Sequence, residues 1–145
     1  MVRRPFHRMT ARIALTAAVI SAALLLPSIA AAAPVPITVA LGENAQFISP
    51  FQVDVPLTIS CSAGSGYNLD VSLVQPEGFG FTMFGGGNAS GQCTGKQQKL
   101  SVPVFPFTPT PGFGWSVGDA VASTDACQFA SFACSGDTKT IHIRA

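Results

Sequence analysis

Apolar and polar residues alternate at a spacing of two in several short stretches, and this pattern restricts the chain to β-structure. The longest stretch places its apolar residues at Val53, Val55, Leu57, Ile59 and Cys61. Similar alternation runs through residues 35–41, 67–75, 99–105 and 138–144. Because successive side chains of a strand point to opposite faces, each stretch predicts a strand with one buried face. No helical period of useful length follows residue 33.

Glycine and proline separate these stretches, as expected for turns between short strands. The glycine-rich residues 78–91 predict an irregular loop whose flexible glycines would let it adapt, and residues 106–114 predict a proline-rich crossover. Residues 115–124 predict a further strand, and Pro103 indicates a sheet edge or a bulge. We therefore predict an all-β fold, an immunoglobulin-like β-sandwich of about seven strands with two disulfides. A small barrel is the alternative.

The first 32 residues predict a signal peptide. A basic head contains Arg3, Arg4, Arg8 and Arg12. The uncharged apolar run Ile13–Leu26 follows, and the small residues Ala30–Ala32 suit a cleavage site. Cleavage after Ala32 leaves one domain over residues 33–145. The sequence has no second apolar run, so we predict no transmembrane segment. The pattern therefore predicts a secreted, extracellular protein.

Four cysteines lie beyond this leader, and an even number in an exported chain predicts two disulfides. We favour Cys61–Cys93 with Cys127–Cys134, while Cys61–Cys127 with Cys93–Cys134 is the rival pairing. Loop-closure entropy predicts roughly 3.7 kcal/mol of stabilisation for the longer favoured bridge and about 2.5 kcal/mol for the shorter.

The charge of the exported part argues against a nucleic-acid partner. The whole chain carries a formal charge of +1, but half of its eight basic residues lie in the leader and all seven acidic residues lie beyond it. Residues 33–145 therefore carry about −3. Nucleic-acid binding requires lysine and arginine to displace phosphate counterions, and this part has too few.

One motif predicts catalysis if taken alone. Residues 114–118 match the G-x-S-x-G nucleophile elbow, with Ser116 as nucleophile, and His142 follows later in the chain as a base. The elbow requires a strand, a turn and a helix, whereas Ser116 begins a predicted strand. His142 is also the one histidine beyond the leader, and the acidic residues are scattered. We therefore predict no enzyme, no metal and no cofactor, and a serine hydrolase is only a remote alternative.

Aromatic residues in the predicted connections are the candidate binding residues. They are Phe79, Phe81, Phe84, Phe107, Phe113 and Trp115. These rings either fold back to cap the ends of the fold or form an apolar groove for a partner. The second reading predicts a secreted non-catalytic binding or structural module that engages an unknown protein or cell-envelope partner. A small-molecule carrier with an apolar cleft is the alternative.

The order of several short motifs carries a resemblance. Residues 58–64 read TISCSAG, residues 91–97 read GQCTGKQ, and residues 137–143 read DTKTIHI. In this order the chain resembles small secreted actinobacterial immunoglobulin-like β-sandwich proteins of unassigned function. That resemblance implies a sandwich fold and no particular activity. The chain is more distantly similar to enediyne chromophore apoproteins, which implies a small-molecule carrier.

Overall fold

The computed structural model describes residues 35–77, 80–108 and 112–145, and the regular structure in these ranges consists of eight strands. They are β1 (Thr38–Leu41), β2 (Asn44–Ser49), β3 (Gln52–Ser60), β4 (Gly66–Pro76), β5 (Thr82–Gln92), β6 (Gln98–Pro106), β7 (Gly118–Gln128) and β8 (Cys134–Arg144). The predicted leader over residues 1–32 and the candidate residue Phe79 lie outside the described residues. The described ranges belong to one compact unit, Ala32–Ala145.

The strand pairings close into a barrel. From β3 the hydrogen-bonded order runs through β2, β8, β7, β4, β5 and β6 and returns to β3, while β1 pairs with β3 beyond the end of β2. The β2–β8 pair is parallel, and the other pairs are antiparallel. The predicted immunoglobulin-like sandwich is therefore not confirmed, because two pairings, β2 with β3 and β5 with β6, join what would be separate sheets. Closure removes open strand edges, which a sandwich would leave.

The predicted apolar faces line the interior of the barrel. The alternating residues of β3 are all buried, and so are Leu69, Val71 and Leu73 of β4 and Ile141 and Ile143 of β8. Burial of these side chains supplies the main favourable term for folding. The alternation therefore predicted correctly both the existence of these strands and the face that each one buries.

The glycine-rich stretch is a strand, which corrects the prediction of an irregular flexible loop. β5 pairs with β4 along its whole length and with β6 at Gly85 and Gly86. A Cβ added at Gly85 would overlap the Phe105 carbonyl and the Trp115 ring, and one at Gly87 would overlap the Pro103 carbonyl. These glycines therefore serve close approach of neighbouring chains rather than flexibility.

Other element boundaries also differ from the predictions. β2 was not predicted. It begins at Asn44, within the predicted turn over residues 42–44. β7 begins at Gly118, so Trp115 and Ser116 precede the strand in which they were expected. Pro103 lies within the β3–β6 ladder, opposite Asp54, at a point where β6 does not pair with β5.

The barrel has two ends that differ in chemistry. Both disulfides form with the favoured pairing, Cys61–Cys93 and Cys127–Cys134, at the end where β4 and β8 begin and β5 and β7 finish. We call this the disulfide end. The opposite end, where β4 and β6 finish and β5 and β7 begin, is called the aromatic end. In the described part of the chain, no helix is long and apolar enough to cross a membrane.

Candidate functional site

Three of the predicted aromatic residues meet at one cleft on the aromatic end. Phe81, Phe84 and Phe113 line a hollow of about 280 Å³, together with Glu77, Thr82, Met83 and Thr108. The three rings are 57%, 53% and 41% exposed. We call this hollow the aromatic cleft. Because its rings are not folded back into the core, they do not merely cap the barrel, and the cleft presents apolar surface to solvent.

Two chain connections bring these rings together. The backbone N–H of Glu77 donates to the Phe81 carbonyl at 2.8 Å, which closes the connection between β4 and β5 and places Phe81 at its end. Phe113 arrives from the crossover between β6 and β7 and meets Phe81 with a ring-centroid distance of 5.5 Å and an interplanar angle of 60°. This edge-to-face arrangement is a preferred geometry of aromatic pairs. One wall of the cleft therefore combines residues that are far apart in the sequence.

A buried glutamine holds the crossover in place. Gln75 is the last inward residue of β4, and its Nε2 donates to the Ser116 carbonyl at 2.9 Å. Its Oε1 accepts a hydrogen bond from the Ser116 backbone N–H at 3.0 Å. The backbone N–H of Trp115 donates to the Pro50 carbonyl at 2.8 Å. These three hydrogen bonds tie the segment that follows Phe113 to β4 and to the β2–β3 connection.

Trp115 supports the site from within and is not an exposed contact residue. Its side chain is 2% exposed and packs against Gly85 of β5. It also lines a second hollow of about 470 Å³, which shares Glu77 and Phe113 with the aromatic cleft and extends to Phe51. Within the described residues the indole Nε1 is buried and has no hydrogen-bond partner. Trp115 is therefore a buried neighbour of the site and not one of its exposed rings.

The remaining predicted aromatic residues do not join the cleft. Phe107 is exposed and lies over Gly86, beside a separate hollow lined by Asp70, Ser72 and Asn88. Phe79 lies outside the described residues and is therefore not included in the site. The structure therefore brings together Phe81, Phe84 and Phe113 from the predicted set.

Sequence reasoning missed several residues of the site, and Gln75, Glu77 and Phe51 are the most informative of them. Gln75 and Glu77 continue the spacing of the inward residues Leu69, Val71 and Leu73, so the pattern already placed two polar side chains toward the interior. A polar residue at an inward position is a signal of a hydrogen-bonding role or of a site. Phe51 gave no such signal, because nothing in its neighbourhood places the β2–β3 connection beside the crossover.

The residues of the hydrolase alternative lie on β7, β8 and the segment before β7. The Ser116 backbone is engaged by Gln75, and no helix follows Ser116 in the described residues, as the nucleophile elbow would require. His142 Nδ1 contacts Asp119 Oδ1 across the β7–β8 pair, and both side chains are exposed. Among residues 35–77, 80–108 and 112–145, no three His, Cys, Asp or Glu side chains form a group that could hold a metal ion.

Comparison with known proteins adds little. No protein-family model matches the chain, and no curated protein matches it. Among solved structures the chain is similar to the sporulation control protein Spo0M from Bacillus subtilis, at 14% identity and a TM-score of 0.34. That match covers 76% of this chain and 50% of the Spo0M chain, so this chain spans about half the length of Spo0M. At that TM-score the likeness carries no argument about fold or function.

Proposed function

We propose that the protein is an exported, non-catalytic binding module that engages a protein partner of the cell envelope through the aromatic cleft. The observation that carries this proposal is the convergence of Phe81, Phe84 and Phe113 around one hollow with their rings left open to solvent. Burial of such rings by a partner would remove a large apolar area from water. Aromatic side chains of this kind concentrate the binding energy of protein interfaces.

Export is part of the same proposal. The predicted signal peptide over residues 1–32 directs the chain out of the cell. The two disulfides are compatible with an extracellular location, because such bonds persist in oxidising compartments. We therefore place the mature domain, residues 33–145, outside the cell.

The exposure of the rings favours a protein partner over the alternative of a small-molecule carrier. Sites for small molecules enclose most of the surface of their ligand. The aromatic cleft is lined by three rings that are about half exposed, so a small ligand would stay in contact with water. A protein surface that packs over the cleft would instead cover both the faces and the edges of the exposed rings.

Site-specific photocross-linking tests this proposal. The photoreactive residue p-benzoylphenylalanine replaces Phe84 in one protein and Phe132 in another, and each is incubated with the envelope fraction of the producing cell. Phe132 is the matched control because it is an exposed phenylalanine at the disulfide end. We expect a discrete protein adduct from position 84, identified by mass spectrometry, and none of that mass from position 132.

A competition arm makes the result specific. Excess unlabelled protein should abolish the adduct, and the double variant Phe81→Ser/Phe113→Ser should compete at least about tenfold less well, because it loses two aromatic contacts. Equal adducts from both positions, or equal competition by the double variant, would contradict a role for the cleft. A small molecule that stays bound in native mass spectrometry of the exported protein would favour the carrier instead.

A further inference from the structure

We infer that the aromatic cleft receives a lysine or arginine side chain of the partner, with the cationic group at the Glu77 carboxylate and the alkyl stem against Phe81 and Phe113. This inference rests on the proposed function and specifies the chemistry of the partner. It is carried by three observations: the state of the Glu77 carboxylate, the geometry of the two rings and the charge of the domain.

Glu77 is the one charged residue among the described residues that line the aromatic cleft and the adjoining hollow. Its Oε1 atom is buried, and in the described part of the chain that atom has no hydrogen-bond partner. A carboxylate oxygen that is withdrawn from water without a partner is unfavourable. Because Oε1 is buried, a cationic donor that enters the cleft would meet the carboxylate at its other oxygen, Oε2, and a charge-assisted hydrogen bond there would stabilise the charged group.

The two rings suit the rest of a cationic side chain. Phe81 and Phe113 stand edge to face at 5.5 Å, and each keeps part of its surface exposed beside Glu77. A cation near an aromatic face is attracted by the ring quadrupole. Lysine and arginine also carry apolar stems that pack along apolar surface while the head stays at a polar group. A side chain with an apolar stem and a cationic head therefore matches both parts of the cleft.

The charge of the domain favours the approach of such a partner. Residues 33–145 carry seven acidic residues against four basic ones. A net negative domain attracts a cationic surface and increases the rate of encounter. The same charge disfavours an acidic group at the cleft, so an anionic ligand would meet repulsion at Glu77 as well as from the domain as a whole.

Titration with three matched peptides tests the inference. The probes are acetyl-Ala-Phe-Xaa-Phe-Ala-amide with lysine, norleucine or glutamate at the central position, and the readout is the NMR spectrum of the ¹⁵N-labelled exported protein. Trp115 is the single tryptophan of the chain and lines the adjoining hollow, so its indole signal reports on the site. We expect the lysine peptide to bind about tenfold more tightly than the norleucine peptide, the ratio for one charge-assisted hydrogen bond. The glutamate peptide should bind most weakly.

The variant Glu77→Gln provides the control on the protein side. It should lose most of the preference for the lysine peptide over the norleucine peptide, and added salt should weaken lysine binding to the original protein more than to the variant. If the lysine and norleucine peptides bind the original protein equally, the inference is wrong while apolar recognition by the cleft stands. If no peptide shifts the signals of the aromatic end, the inference also fails, and the cross-linking at position 84 decides the proposed function separately. The comparison among peptides needs no protein variant, so it remains decisive even if Glu77→Gln does not fold.

Discussion

The two ends of the barrel are stabilised in different ways, although both expose aromatic rings. The disulfide end carries two covalent bridges, and the hairpin tip between β7 and β8 exposes Phe129 and Phe132. The aromatic end is held by hydrogen bonds from Gln75 and by the buried Trp115. Covalent bridges restrict the unfolded chain, whereas the buried side chains act through the folded state.

This difference explains how the aromatic end keeps its rings available. Phe81 and Phe113 remain exposed while Trp115 is buried against Gly85 and Gln75 fixes the crossover. At the disulfide end the bridge Cys127–Cys134 closes the hairpin directly, with Cα atoms 4.1 Å apart. The aromatic end, which side chains organise without covalent bonds, presents a cleft. The disulfide end is closed by a covalent bridge, so the tip of its hairpin does not need to pack against the core.

Removal of the buried tryptophan should give the largest effect. We expect Trp115→Ala to lower the free energy of unfolding by about 3–5 kcal/mol, since it leaves a large cavity where the buried indole packs against Gly85. The matched change at the other end, Phe132→Ala, should alter stability by less than about 0.5 kcal/mol because that ring is 89% exposed. Urea unfolding followed by circular dichroism measures both. Equal losses from the two substitutions would show that the ends do not differ as we describe.

Several strands of the barrel could be predicted from the sequence because burial imposes a spacing of two on their apolar residues. β3, β4 and β8 show this spacing, and the structure buries the predicted faces. The choice between sandwich and barrel could not be predicted in this way. The inward alternation is the same in both architectures, and the decision depends on two strand pairings between distant segments.

The candidate site could be predicted only in part, for a related reason. Phe81, Phe84 and Phe113 were recognised because large aromatic residues are unusual in glycine-rich and proline-rich connections. Glycine-rich sequence normally indicates a loop, but in β5 the absent side chains admit Trp115 and the neighbouring backbone. The burial of Trp115 therefore depends on a contact with Gly85, thirty positions earlier, which sequence spacing does not reveal.

Removal of the disulfides should give the next largest effect and should stay confined to one end. We expect the double variant Cys61→Ala/Cys93→Ala to lose roughly 3.7 kcal/mol and Cys127→Ala/Cys134→Ala to lose about 2.5 kcal/mol, because the first bridge closes the longer loop. Hydrogen exchange should accelerate in the loops of the disulfide end while the amides of Trp115 and its neighbours stay protected. Faster exchange at the aromatic end in either variant would mean that the ends are not independent.

The smallest effect should come from the two buried glutamines, which form a matched pair across the barrel. Gln75 at the aromatic end makes both of its hydrogen bonds to Ser116, whereas the Oε1 atom of Gln128 at the disulfide end is buried without a partner in the described residues. Methionine has a similar shape and cannot replace these hydrogen bonds. We expect Gln75→Met to cost about 1–2 kcal/mol, since the Ser116 backbone loses both bonds, and Gln128→Met to change stability by less than about 0.5 kcal/mol.

Urea unfolding measures this difference, and the NMR signal of the Ser116 amide distinguishes its cause. In Gln75→Met that amide should exchange faster and peptide binding at the cleft should weaken, because the crossover that carries Phe113 is no longer tied to β4. In Gln128→Met both should remain as in the original protein, since that side chain is at the opposite end. If Gln128→Met proves the more costly of the two, then the disulfide end depends on buried polar contacts as much as the aromatic end does. The disulfides alone would then not account for the stability of that end.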